Sequence, residues 1–243
     1  MRSLVVYDTL CYPTPEKFLE FMMGSVKQGA NALEVGIPPR YAKYDGPVIR
    51  RSYRAVSKFS SNAWEVLGEL GREVDVDLIA LTYLEDWLGN FNELVSKLKG
   101  SGVKGLLFPD LVIDFPFDVE KIAEKVRNAG LRNVIFVTPT VPDSFIKRVS
   151  KLADLFLYYG IRPTTGVPIP VSVDALLGRV RSLVESKLIV GFGLSNLEDV
   201  RKAIKAGADG IAVGTSLIEE MERSGIEGAL RLVSNLREIV DGA

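Results

Sequence analysis

A glutamate interrupts the apolar run Ala32-Leu33-Glu34-Val35-Gly36-Ile37, and eleven residues later an aspartate stands in Tyr44-Asp45-Gly46-Pro47. Alternation along an extended segment puts Glu34 on the opposite face from Leu33 and Val35. The position fits a buried ion pair or a water-facing glutamate at a strand end; in a strand covered on both faces it is instead partly buried, which raises its pKa toward neutrality, where a general acid or base works best. Asp45 taken alone also fits a turn or N-cap aspartate ahead of a proline-started helix. Paired with Glu34, it becomes half of an acid couple whose unequal environments can divide proton transfer from charge stabilisation. The chain has no histidine, which removes the commonest general base, the commonest metal ligand and every Ser-His or Cys-His nucleophile pair. Chemistry must come from carboxylates, Lys, Tyr or the backbone.

Three glycine-rich corners crowd the last part of the chain: Pro163-Thr164-Thr165-Gly166, Gly191-Phe192-Gly193 and Gly214-Thr215-Ser216. Glycine lets the backbone approach a ligand closely, and helix N-termini offer unpaired N–H groups to an anion. Three such corners favour a bound phosphate. No G-x-x-x-x-G-K-[ST] run is present, so a nucleoside triphosphate is not indicated. Tyr7, Leu81, Tyr83, Leu107, Val137, Tyr158 and Tyr159 lie at or near the ends of apolar runs. Each fits core packing singly; together they suit a flat aromatic group opposite the phosphate.

These residues need a scaffold that brings them to one rim. Short apolar runs recur at Leu4–Tyr7, Ala32–Ile37, Leu78–Leu81, Gly105–Phe108, Val134–Val137, Leu155–Tyr159, Leu188–Val190 and Ile211–Val213. Segments of 3.6-residue periodicity separate them, such as Phe18, Phe21, Met22 and Val26. Gly29, Gly102, Gly130 and Gly207 each follow a helical pattern, as a left-handed C′ glycine does. Thr14-Pro15-Glu16 and Ser195-Asn196-Leu197-Glu198 read as helix starts. Eight strands with helical crossovers predict a parallel sheet, and the simplest closed form is an α/β fold, a (β/α)8 TIM barrel over residues 1–243 as one domain. An open doubly wound sheet is the alternative. The long stretch over residues 38–77 reads as an insertion holding two helices, around Arg50–Lys58 and Ala63–Arg72. In a barrel the site lies at the carboxyl ends of the strands.

The 243 residues carry 30 Lys and Arg against 31 Asp and Glu, a net charge of −1. No global electrostatic case exists for nucleic acid or an anionic membrane. The single Cys11 excludes a disulfide framework within the chain and fits a reducing cytoplasm. A carboxylate at Asp8 cuts short the N-terminal apolar run, too soon for a secretory signal. No apolar stretch approaches the ~18 residues of a membrane span.

Leu33-Glu34-Val35-Gly36-Ile37-Pro38 followed by Asp45-Gly46-Pro47-Val48-Ile49 resembles the signature of the tryptophan synthase alpha subunit family. Further similarity runs through Tyr7-Asp8-Thr9 to Pro13, Leu81-Thr82-Tyr83, Gly102 to Asp110, Thr165-Gly166, Gly191-Phe192-Gly193 and Ala206 to Ser216. The acid pair with its flanks is specific; the glycine corners are shared by many phosphate-binding barrels. The resemblance implies cleavage of indole-3-glycerol phosphate to indole and glyceraldehyde 3-phosphate. Glu34 is then the general acid/base, and Asp45 accepts the indole N–H and stabilises positive charge. Tyr7, Leu81, Tyr83, Leu107, Val137, Tyr158 and Phe192 would line the indole pocket, with a one-residue gap needed to align Tyr158. Thr165, Gly166, Gly193, Gly214 and Thr215 would hold the phosphate. No metal or cofactor is implied in this chain. PLP belongs to the partner, a tryptophan synthase beta subunit, in an α2β2 or transient complex.

The chain also departs from the family. It opens almost directly in a strand, where members usually begin with a helix. Pro39-Arg40-Tyr41-Ala42-Lys43-Tyr44 replaces a Phe-Ser-Asp-Pro-like stretch that faces the beta subunit, shifting that surface toward positive charge. Asp8 stands where an apolar residue is usual and is a candidate second rim carboxylate with no assigned role; Cys11 stands where glycine is usual. Two alternatives remain at this level: another phosphate-binding barrel enzyme, such as a sugar-phosphate isomerase or a prenyl-glyceryl phosphate synthase, and a non-catalytic sensor of indole phosphates that activates a beta-type partner.

Overall fold

Each apolar run becomes a strand buried on both sides, the pattern of a parallel sheet wrapped by helices. The computed structural model describes residues 2–161, 172–191, 194 and 197–242. Its strands are β1 (Ser3–Thr9), β2 (Ala32–Gly36), β3 (Asp77–Leu81), β4 (Gly105–Leu107), β5 (Arg132–Val137), β6 (Phe156–Gly160), β7 (Leu188–Gly191) and β8 (Gly210–Val213). All pair in parallel, in chain order, and β8 closes on β1 through Ser3↔Gly210 to Val6↔Val213. The barrel is therefore closed, and the open-sheet alternative is set aside.

The helices are α1 (Pro15–Lys27), α2 (Pro47–Ala55), α3 (Ala63–Glu73), α4 (Phe91–Leu98), α5 (Leu111–Asp114), α6 (Val119–Asn128), α7 (Asp143–Val149), α8 (Val173–Arg181), α9 (Leu197–Lys205) and α10 (Thr215–Gly242). In α1 the hydroxyl of Thr14 accepts from the Lys17 N–H, Pro15 occupies the first turn, and Phe18, Phe21 and Met22 are buried. The glycines at the four helix ends all have positive φ: Gly29 at 97°, Gly102 at 76°, Gly130 at 80° and Gly207 at 100°. At Gly102 space reinforces conformation, because a Cβ there would lie 2.7 Å from the Gly71 carbonyl oxygen. Ser195 and Asn196, the start of the second expected capping motif, lie outside the described residues.

Residues 38–77 supply α2 and α3, and α2 is the element that bears on the site. It packs against the end of β1, where Thr9 Oγ1 lies 2.6 Å from Ser52 Oγ. At the opposite end of the barrel, Arg237 of α10 donates to the Asn31 side chain at 2.8 Å and to the Arg2 carbonyl at 3.1 Å. Asn31 Oδ1 also accepts from the Leu4 N–H at 2.9 Å. These bonds tie the N-terminal ends of β1 and β2 to α10. Among the described residues no helix is long and apolar enough to cross a membrane.

Candidate active site

Glu34 sits in the middle of β2, in register with Tyr7 on β1 and Ile79 on β3. Its side chain is buried, at 2% exposure, and Oε2 has no hydrogen-bond partner among the described residues. Burial, with the charge of Asp45 adding to it, pushes the carboxyl pKa up to about 8. An unpartnered buried carboxyl is costly to keep, and carboxyls with raised proton affinity cluster at functional sites.

Asp45 is buried as well, at 4% exposure. It is not the N-cap of α2: that position is Gly46, with Pro47 following. Asp45 Oδ2 instead accepts a hydrogen bond from the Tyr83 hydroxyl at 2.8 Å. Burial raises its pKa to about 6, against the opposing pull of Tyr83 and Arg50. The two carboxyls thus differ in proton affinity in the order a divided acid–base pair requires: Glu34 holds its proton at a pH where Asp45 has lost its own.

Both groups hold a proton more tightly in the folded chain than in the unfolded one. Their contribution to stability is therefore complete below about pH 4 and is lost as pH rises through about 6 and then about 8. The denaturant midpoint is expected to fall between pH 5 and 8. A flat or rising midpoint over that window would contradict these carboxyl environments.

Tyr7 defines the mouth of the barrel. A Cβ on Gly36 would lie 2.2 Å from the Tyr7 hydroxyl oxygen, and one on Gly214 would lie 2.6 Å from its ring. The ring thus occupies space that side chains at the end of β2 and just after β8 would otherwise fill. The Tyr7 hydroxyl donates to the Tyr53 hydroxyl of α2 at 3.0 Å and lies 3.2 Å from Thr9 Oγ1. Tyr53 and Ser52 carry no local signal in the sequence, because their role depends on where the inserted helix lands.

Leu81 and Leu107 are in register with each other, and Leu81 is in register with Gly36. They therefore share the Glu34 face, and Tyr83 continues it. Tyr158 also reaches the mouth: a Cβ on Gly191 would lie 2.4 Å from its hydroxyl oxygen. Val137, expected in the pocket, is on the other face. It pairs with Tyr159, whose surroundings include Arg179 of α8 and Asp143 of α7, whereas Phe136 pairs with Tyr158. Strand alternation turns Val137 toward the helices and gives the inward place to Phe136, whose ring meets Tyr158 edge-on at 5.5 Å.

Gly214 directly precedes α10, and its carbonyl accepts from the N–H groups of Leu217 and Ile218. Thr215 opens that helix. Phe192, Thr165, Gly166 and Gly193 lie outside the described residues. Asp8 is not a rim group: it faces away from Tyr7 on β1 and is fully buried, with Oδ1 accepting the Thr9 N–H at 2.8 Å. Burial raises its pKa well above the usual carboxylate range. Among the described residues no three His, Cys, Asp or Glu side chains converge as metal ligands do.

The family model described as tryptophan synthase alpha chain matches residues 1–241. The chain belongs to the tryptophan synthase alpha chain family. It is 55% identical over 240 residues to the tryptophan synthase alpha chain of Saccharolobus solfataricus, covering 99% of this chain and 97% of that one. The corresponding chain of Sulfurisphaera tokodaii is 50% identical over 240 residues, with 99% and 98% covered. A mutant tryptophan synthase alpha-subunit from the hyperthermophile Pyrococcus furiosus matches its fold with a TM-score of 0.83 at 27% identity, over 100% of both chains. As a member of this family the chain is a lyase of tryptophan biosynthesis.

Proposed function

We propose that the chain cleaves indole-3-glycerol phosphate to indole and glyceraldehyde 3-phosphate, with Glu34 as general acid/base and Asp45 as the charge-stabilising group. The observation that carries this reading is the pair of buried carboxyls with unequal proton affinities, the more basic of which has an oxygen without a partner. Neutral Glu34 delivers its proton to indole C3. Asp45, ionised and held by Tyr83, accepts the ring N–H and stabilises the positive charge that C3 protonation creates. The Glu34 carboxylate then takes the proton of the glyceryl hydroxyl next to the ring. The bond from C3 to that carbon breaks, its electrons restore the indole, and the hydroxyl carbon leaves as the aldehyde. Glu34 ends protonated, as it began.

Tyr7, Leu81, Tyr83, Leu107, Tyr158 and Phe192 suit the indole ring, with Phe136 in place of Val137. The start of α10 at Gly214 and Thr215 suits the phosphate, together with Thr165, Gly166 and Gly193. Proton transfer and a nearby anion suffice for this chemistry, so the chain needs no cofactor or metal of its own; PLP would act in a beta subunit. The large apolar residues exposed among those described are Tyr41 at 64%, Leu88 at 57% and Phe117 at 97%. They stand on the loops after β2, β3 and β4, on the same side as the acid pair, which supports a beta-type partner docking over the mouth. A cytoplasmic enzyme fits the lone buried Cys11.

The test is indole release from indole-3-glycerol phosphate by the purified chain, with and without a beta-type partner, Mg²⁺ and EDTA. Release that ignores EDTA and rises with the partner is expected. Tight binding with no indole formed, even with the partner present, would instead make the chain a sensor, and dependence on Mg²⁺ would point to another phosphate chemistry.

A further inference from the structure

The loop that carries Asp45 is fastened just ahead of it. Lys43 Nζ donates to Asp114 Oδ2 at 2.6 Å and lies 2.7 Å from Glu85 Oε2. The Tyr44 hydroxyl donates to Asp114 Oδ1 at 2.5 Å. The Tyr44 backbone N–H donates to the Tyr83 hydroxyl at 2.9 Å, and the two rings lie nearly parallel, 7° apart in plane with centroids 6.3 Å apart. Tyr83 is the residue that donates to Asp45. A continuous set of contacts therefore runs from Asp114, at the end of α5, through Tyr44 and Tyr83 to Asp45.

We propose that Asp114 is a positioning residue, which by binding Lys43 and Tyr44 holds the loop between β2 and α2 across the barrel mouth and so fixes the place of Asp45. The proposal rests on the lyase reading of the same site. One half-exposed ion pair contributes little alone. Here both oxygens of one carboxylate restrain two consecutive residues, and the second of them is bonded to the Tyr83 hydroxyl that also holds Asp45. Asp114 is an exposed residue that ends the short helix α5 beside the mouth, outside the core, so its removal loosens the loop and leaves the barrel standing. Because Asp114 acts through Asp45, its effect disappears once Asp45 has lost its charge, which a general loss of stability would not do.

The experiment measures hydrogen exchange at the amides of residues 40–46, and kcat and KM for indole release, in Asp114→Ala, Asp114→Asn, Asp45→Asn and the Asp45→Asn/Asp114→Ala double variant. Faster exchange and a fall in kcat of roughly tenfold, the scale of one charge-assisted hydrogen bond, are expected for Asp114→Ala, with KM changing less. Asp114→Asn, which keeps an acceptor for Tyr44 but not the charge for Lys43, should fall between. Adding Asp114→Ala to Asp45→Asn should cost no further activity. Unchanged exchange, faster exchange with unchanged kcat, or the same tenfold loss in both backgrounds would each overturn the proposal. Exchange reads the loop whether or not the chain turns over, so a wild type that releases no indole brings down the lyase reading separately.

Discussion

Glu34→Gln is expected to lower indole release by about 10²- to 10⁴-fold, the usual contribution of a general acid–base group, while leaving the folded chain more stable at pH 8 than the wild type. Glutamine keeps the shape of the side chain but has no acidic proton to give to C3 and no basic oxygen to take one from the glyceryl hydroxyl. The gain in stability follows from the same burial. With its pKa raised to about 8, Glu34 sits folded at a proton affinity far from its ordinary 4.5, and at about 1.4 kcal/mol per unit that mismatch is worth up to a few kcal/mol. Glutamine removes the mismatch, and with it part of the fall in stability between pH 5 and 8. Indole release and a denaturation series run on the same preparation decide the matter. Activity retained by Glu34→Gln would end the assignment of the proton to this residue.

Asp45→Asn is expected to reduce kcat/KM by about 10²- to 10³-fold, as loss of one preorganised electrostatic group does, and to move the alkaline limb of the pH profile. In the wild type, kcat/KM should rise as Asp45 ionises near pH 6 and fall as Glu34 loses its proton near pH 8. The Asp45 charge is one of the two causes that raise Glu34, burial being the larger. Removing that charge lowers the Glu34 pKa, so the residual activity of Asp45→Asn should decline at a lower pH and lose its acid limb. Asparagine can still accept from Tyr83 through its amide oxygen, which keeps the loop in place and isolates the charge. A variant with a wild-type profile would show that Asp45 and Glu34 do not share one electrostatic site.

The barrel was legible from the sequence because its signals are local and repeated. Each strand is a short apolar run, and Gly29, Gly102, Gly130 and Gly207 mark helix ends where left-handed backbone is needed. Glu34 stood out because a charge inside such a run needs a reason. What the sequence hid depends on tertiary placement. Tyr53 and Ser52 matter only because α2 folds back on β1, and Asp114 only because α5 comes to rest beside Lys43 and Tyr44. Motif matching points to Val137 and not to Phe136 because it does not track strand parity, which a one-residue shift reverses. Cys11 shows the opposite case: its φ of 68° lies in the left-handed region, so the glycine usual at this position has a conformational reason, and the side chain here is accommodated at some strain.

The placement of the Tyr7 ring makes three positions, on β1, on β2 and just after β8, a single unit of variation. Gly36 and Gly214 have room for hydrogen only, because one aromatic side chain from β1 spans the gap to both. Neither glycine can gain a side chain by a single change while tyrosine remains, whereas a smaller residue at position 7 would release both at once. The width of the entrance is thus governed at one residue, and a redesign for bulkier indoles would begin there, with the two glycines as the places to rebuild the wall afterwards.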